Sequence, residues 1–146
     1  MKYYYHQYNL PTISIRIFNT YGPFDVPGKY RNFIPNLVKS ALQNDDIIIT
    51  GDGNETRDFT FVSDTCNLLI LASQHVGVYD VFNSGTGMGT SINDLVNSVI
   101  KKVSSKSKIL LDSRPSSTSN LEKCFSVKLY IKSPLPIVPM KRVLVL

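Results

Sequence analysis

The sequence predicts an α/β fold, a mixed sheet with flanking helices. Three observations carry this. Runs rich in β-branched residues alternate with segments of helical period between residues 12 and 111, turn residues separate them, and strand follows helix in an order that favours some parallel pairing. A length of 146 residues leaves room for one domain with its own core. At 42% apolar and 18% charged residues the composition is that of a globular protein. No run of 18 apolar residues occurs, so no membrane span is expected. The first eight residues are aromatic and polar and lack the apolar centre of a secretion signal, so a cytoplasmic protein is expected.

Taken in order, residues 1–8 read as the end of a helix stopped by Asn9 and Pro11. Thr12-Ile-Ser-Ile-Arg-Ile17 reads as a strand. Residues 18–29 hold Gly22, Pro23, Pro27 and Gly28 and read as a loop. Phe33, Ile34, Leu37, Val38, Ala41 and Leu42 recur at helical spacing, with Pro35 in the first turn, where its missing N–H costs nothing. Residues 46–50 form a short strand ended by the turn Gly51-Asp-Gly53. Residues 57–62 alternate as a strand, and Ser63 is the expected N-cap of a helix from Asp64 to about Gln74. Residues 79–83 read as a strand. Thr90 or Ser91 caps a helix whose Ile92, Leu95, Val96, Val99 and Ile100 share a face, and residues 108–111 form a last strand. From Ser113 the pattern degrades. Pro134, Pro136 and Pro139 break every candidate element, and 116–146 is read as a divergent tail.

The net charge of +5 suggests nucleic acid at first sight, but its distribution argues against it. Residues 1–122 carry 11 basic and 11 acidic side chains and sum to zero. The excess is Lys123, Lys128, Lys132, Lys141 and Arg142, where no acid occurs. A nucleic-acid groove needs basic residues on a folded face with stacking aromatics among them, and this tail has only Phe125 and Tyr130. Cys66 and Cys124 have no metal or redox spacing and are expected to be free buried thiols; His6 and His75 have no partners at metal spacing.

Four segments carry a resemblance. Arg16-Ile-Phe-Asn-Thr-Tyr-Gly-Pro23 resembles the R-x-F-N-x-Y-G-P segment of the extended short-chain dehydrogenases that act on nucleotide sugars, the NAD-dependent epimerases and dehydratases. Gly51-Asp-Gly-Asn-Glu-Thr-Arg-Asp-Phe-Thr-Phe-Val62 with Asp64 is similar to the family's G-D-G-x-x-x-R-D-F-x-x-V-x-D. Val81-Phe-Asn-Ser-Gly-Thr-Gly87 followed by Ser91-Ile-Asn-Asp-Leu95 is similar to its N-x-G-x-G and S-I-x-E-L stretch, and Asn32-Phe-Ile-Pro35 falls between the first two. Each is weak alone; in the family's order over residues 1–115 they are specific. The resemblance implies the C-terminal, nucleotide-sugar-binding part of such an enzyme, with residues 1–25 the last piece of a Rossmann half that is otherwise missing. The family's glycine-rich NAD loop and Tyr-x-x-x-Lys pair would lie before residue 1. Gly85-Thr-Gly-Met-Gly-Thr90 mimics a dinucleotide fingerprint, but position 90 is Thr and no acid follows at the ribose position, so it is read as a strand-to-helix turn.

A nucleoside diphosphate sugar carries two phosphates, for which a forked Arg is the best donor. Arg57 follows a glycine turn. The resemblance makes it the phosphate-binding Arg, against the alternative of an ion pair with Asp58 or Glu55. Asn19 is similarly implied for the diphosphate, against an Asx-turn. Asn32 stands at a helix start, facing the nucleotide or capping the helix, and Phe33 packs near the base or in the core. Ile47 and Ile49 would offer backbone groups to the base edge, with a buried strand the alternative. Arg114, from an R-P-G-D-like stretch in which Ser116 and Ser117 replace Gly-Asp, would reach the diphosphate. Ile17 and Phe18 would lie near the nicotinamide of NAD. Asp58 and Asp64 are read as anchors of the strand–helix junction, and no catalytic set emerges.

In the family the NAD half oxidises carbon 4 of the sugar, and epimerisation, dehydration and decarboxylation all begin there. A UDP-glucose 4-epimerase-like enzyme ranks first, inactive as this portion alone. A UDP-glucuronate decarboxylase or a dTDP-glucose 4,6-dehydratase is the alternative. A non-catalytic nucleotide-sugar-binding protein, or one subunit of a split enzyme completed by a separate Rossmann half, also stays open, and a homo-oligomer is a further expected partnership.

Overall fold

Two parallel strand pairs organise the chain, each with the helices its sequence places beside it. The computed structural model describes residues 1–29, 33–74 and 79–113; Asn32, His75, Arg114, Cys124 and the 116–146 tail lie outside these. The chain divides into two compact units. The described residues of the first are 1–20, 58–74 and 79–88, and those of the second are 21–29, 33–57 and 89–113.

The first unit begins with helix α1 (Lys2–Tyr8), which ends where Asn9 takes the left-handed conformation at φ 50°. Strand β1 (Thr12–Ile17) runs parallel to β6 (Tyr79–Ser84), in register from Thr12 opposite Tyr79 to Ile17 opposite Ser84. Both strands are rich in β-branched and aromatic residues, which suit a pleated surface. Helix α3 (Val62–Ser73) packs on β1 and on β5 (Phe59–Phe61), and β5 pairs with the short β2 (Asn19–Tyr21). Burial here is thin. Phe59 and Ala72 are buried, whereas Ile17, Leu69 and Ile70 are exposed.

The second unit holds the larger apolar core. Helix α2 (Phe33–Gln43) packs against α4 (Ile92–Val103) and β3 (Ile47–Thr50). Strand β3 pairs in parallel with β8 (Ile109–Asp112), Ile47 opposite Ile109. Strand β4 (Thr56–Arg57) pairs antiparallel with β7 (Thr90–Ser91). Leu95, Val96 and Val99 form one fully buried stripe of α4, each contributing about 1.5–3 kcal/mol by leaving water. Ser91 caps that helix: its Oγ accepts from the Asp94 N–H at 3.0 Å and donates to Asp94 Oδ2 at 2.7 Å.

Four expectations are corrected. The loop expected over 18–29 contains strand β2, because Thr20 is held on both sides: its Oγ1 donates to Phe18 O at 3.2 Å and lies 3.0 Å from Thr65 Oγ1. The single strand expected over 57–62 is two strands, interrupted at Asp58. Helix α3 starts at Val62 with Phe61 as an N-cap that makes no side-chain cap bond, so Ser63 lies in the first turn. Strand β5 passes into the helix without a linker, and a cap residue at 63 has no place. Cys66 is exposed rather than buried, because α3 turns Thr65 and Ala72 inward.

Candidate functional site

The candidate residues foreseen from sequence divide between the units: Asn19, expected at the substrate, with Ile17 and Phe18, expected at the cofactor, in the first, and Phe33, Ile47, Ile49 and Arg57, expected at the substrate, in the second. In the first unit the exit of β1 is tied to the end of β6, since the Phe18 N–H donates to Ser84 O at 3.1 Å. Ile17 is 51% exposed and Phe18 half-buried, an apolar edge at the carboxyl end of the strand. Asn19 is exposed, and its Nδ2 donates to the carbonyl of Asp58 at 3.3 Å.

Asp58 is 5% exposed. Its Oδ1 accepts from the Thr86 N–H at 2.9 Å and the Thr86 hydroxyl at 2.6 Å, and its Oδ2 accepts from the Gly87 N–H at 2.8 Å. A buried carboxylate is tolerated when it is bonded in this way. Gly87 has φ 77°, the conformation that lets successive amides converge on an anion. The turn that mimics a dinucleotide fingerprint therefore spends its Thr86 and Gly87 amides on the protein's own carboxylate, and it does not fit a phosphate cradle for NAD. Asp58 anchors the 84–88 turn, beyond the strand–helix junction expected for it. The sequence marks Asp58 by its motif, but not the turn it holds.

In the second unit Arg57 is half-buried at the end of β4, opposite Thr90. The turn ahead of it needs Gly51 at φ 83° and Gly53 at φ 71°. It is fastened to the start of α4. The Asn93 N–H donates to Gly53 O at 3.0 Å, Asn93 Nδ2 to Asp52 O at 3.0 Å, and the Ile92 N–H to Glu55 O at 3.1 Å. Asp52 accepts from the Asn54 N–H at 2.9 Å and from Asn54 Nδ2 at 2.8 Å, which holds its carboxyl below the usual carboxylate range. The side chains of Ile47 and Ile49 are buried in β3, and the Ile47 N–H donates to Lys108 O at 2.8 Å. Phe33 is half-buried at the start of α2. Asn36, which the sequence did not single out, clasps the loop before that helix: it accepts from the Gly28 N–H at 2.9 Å and donates to Gly28 O at 3.0 Å.

Among the described residues no group of three His, Cys, Asp or Glu could hold a metal ion. No helix among them is long and apolar enough to cross a membrane.

The model of the NAD dependent epimerase/dehydratase family matches residues 1–85. A UDP-N-acetyl-alpha-D-glucosaminuronate decarboxylase of Bacillus cytotoxicus is 37% identical over 101 residues, 69% of this chain and 32% of that protein. The UDP-glucose 4-epimerase of Thermotoga maritima, solved with UDP-glucose, superposes with a TM-score of 0.73 at 27% identity, over 80% of this chain and 37% of that one. Pal from Bacillus thuringiensis superposes with a TM-score of 0.79 at 30% identity, over 96% of this chain and 45% of that one. The chain matches between 19% and 36% of the length of its curated relatives. On the ordered motifs, the strand–helix arrangement that carries them and these matches, this chain belongs to the NAD-dependent epimerase/dehydratase family.

Proposed function

We infer that this chain is the substrate-gripping portion of an NAD-dependent nucleotide-sugar 4-epimerase of the UDP-glucose type, and that it does not turn over alone. The observation that carries the reading is Arg57, a guanidinium set half-buried on a strand by a turn that two positive-φ glycines and Asn93 hold in shape. A fixed fork of that kind suits a diphosphate. Asn19 adds a neutral donor and acceptor, and the main chain at Ile47 and Ile49 offers groups to the base. Asn32 and Arg114 are assigned to the nucleotide from sequence. Ile17 and Phe18 would flank a nicotinamide whose phosphates are held by residues outside this portion. NAD supplies the hydride chemistry when bound there. This portion contributes orientation of the sugar rather than acid–base groups.

The test is to incubate the purified chain with NAD and UDP-glucose, and to titrate it with UDP in a calorimeter. UDP binding without formation of UDP-galactose is expected. Turnover clearly above a no-enzyme control, in protein free of host epimerase, overturns the claim of inactivity. A second reading, a nucleotide-sugar decarboxylase portion, is favoured by the 37% identity to the Bacillus cytotoxicus enzyme. Competition separates the two: tighter binding of a UDP-uronic acid than of UDP-glucose selects the decarboxylase.

A further inference from the structure

We propose that Asp58 is a positioning residue for Asn19. Its buried carboxylate fixes the main chain whose carbonyl holds the Asn19 amide, so that Asn19 meets a nucleotide sugar already oriented. The proposal rests on the substrate-gripping reading.

An exposed Asn has a broad terminal torsion and turns easily. The bond from Asn19 Nδ2 to Asp58 O at 3.3 Å selects one setting, with the second N–H and Oδ1 as the groups offered. That setting is only as fixed as the carbonyl of residue 58. Asp58 falls between β4 and β5, outside both strands. The carboxylate adds a hold of its own, through the three donors of Thr86 and Gly87. Thr86 is held in turn, because its Oγ1 accepts from the Met88 N–H at 3.1 Å. A chain of bonds therefore runs from the 86–88 turn through the carboxylate to the carbonyl and on to Asn19, all within the first unit. Asp58→Asn keeps the shape but places an NH2 group against N–H donors, which breaks the chain at its centre.

The experiment titrates the full 146-residue chain with UDP in four forms: wild type, D58N, N19A and the double variant. If Asp58 acts through Asn19, D58N and N19A each weaken binding by roughly 10-fold, and the double variant is no weaker than N19A. A purely structural loss would instead multiply to roughly 100-fold, and that result, or unchanged affinity in D58N, overturns the proposal. Should D58N fail to fold, Thr86→Val removes one donor at constant shape. It is expected to weaken UDP binding several-fold in the wild-type background and not at all with N19A. The Asn19 side-chain amide resonances give a readout without ligand. They should move toward those of a free, exposed Asn in D58N and T86V; unchanged signals overturn the clamp. Absence of UDP binding by the wild type overturns the substrate-gripping reading instead, and the amide resonances then judge the clamp alone.

Discussion

At Arg57 the side chain is half-buried before a ligand arrives, so part of its ordering cost on binding is already met. A charged hydrogen bond to phosphate contributes roughly 1.5–3 kcal/mol, and Arg57→Ala is expected to weaken UDP binding by about 10- to 150-fold. Arg57→Lys keeps the charge and loses the fork, and should fall between. Calorimetry decides: equal affinity in wild type and R57A would return Arg57 to a structural role. A second single-residue prediction concerns Phe24, which is 100% exposed at φ 69°. A bulky residue there bears roughly 1–2 kcal/mol of backbone strain and gains nothing from burial. Phe24→Gly removes the strain at an entropic cost of roughly 0.5–1 kcal/mol. The thermal midpoint should hold or rise slightly; a fall of several degrees would mean that Phe24 is held in place by something its exposure does not reveal.

The elements were legible in proportion to how local their causes are. Helix α4 could be read from the Ser91 cap and the spacing of Leu95, Val96 and Val99, and it lies where expected. The Gly51-Asp-Gly53 turn was equally plain, since both glycines take positive φ. The start of α3 and the strand at 19–21 were not legible, because tertiary bonds set them: Thr20 to Thr65, and Asn19 to Asp58 across 39 residues. The same holds at the site. Arg57 and Asn19 stood out by motif, whereas the role of Asp58 depends on Thr86 and Gly87, which approach it only in the fold. The turn ahead of Arg57 gives a prediction at this scale. A Cβ on Gly53 would lie 2.3 Å from Asn93 Oδ1, and Asn93 is itself bonded to Asp52 and Asn54. With the positive φ added, Gly53→Ala should cost at least about 1 kcal/mol and lower the midpoint by roughly 2–8 °C. It should weaken UDP binding as well, by loosening the turn that presents Arg57. An alanine variant with wild-type melting would show that the turn relaxes freely.

At the scale of the whole molecule, apolar burial among the described residues is uneven. Leu37, Ala41, Ile47, Ile49, Ile92, Leu95, Val96 and Val99 are buried in the second unit, against Phe59 and Ala72 in the first. The first unit meanwhile exposes Ile17, Val62, Leu69 and Ile70 along β1 and α3, and Tyr3, Tyr4 and Tyr8 on α1. Apolar surface of this kind invites association, and the chain is expected to be oligomeric or aggregation-prone when expressed alone. A sharp, monomeric, cooperative melt counts against this. Local stability follows buried contact, so hydrogen exchange should show two levels of protection. Amides of β6 and α3 should exchange early. Those of α4, with its buried Leu95, Val96 and Val99, and of the β3–β8 pair, with its buried Ile47 and Ile49, should persist until global unfolding. Adding a partner that covers the first unit should raise the protection of β6 and α3, and that of α4 as well, because a partner bound only to the folded chain raises the free energy of global unfolding. Uniform protection across both units would show instead that they open as one cooperative body, and that the exposed residues of β1 and α3 cost the fold nothing.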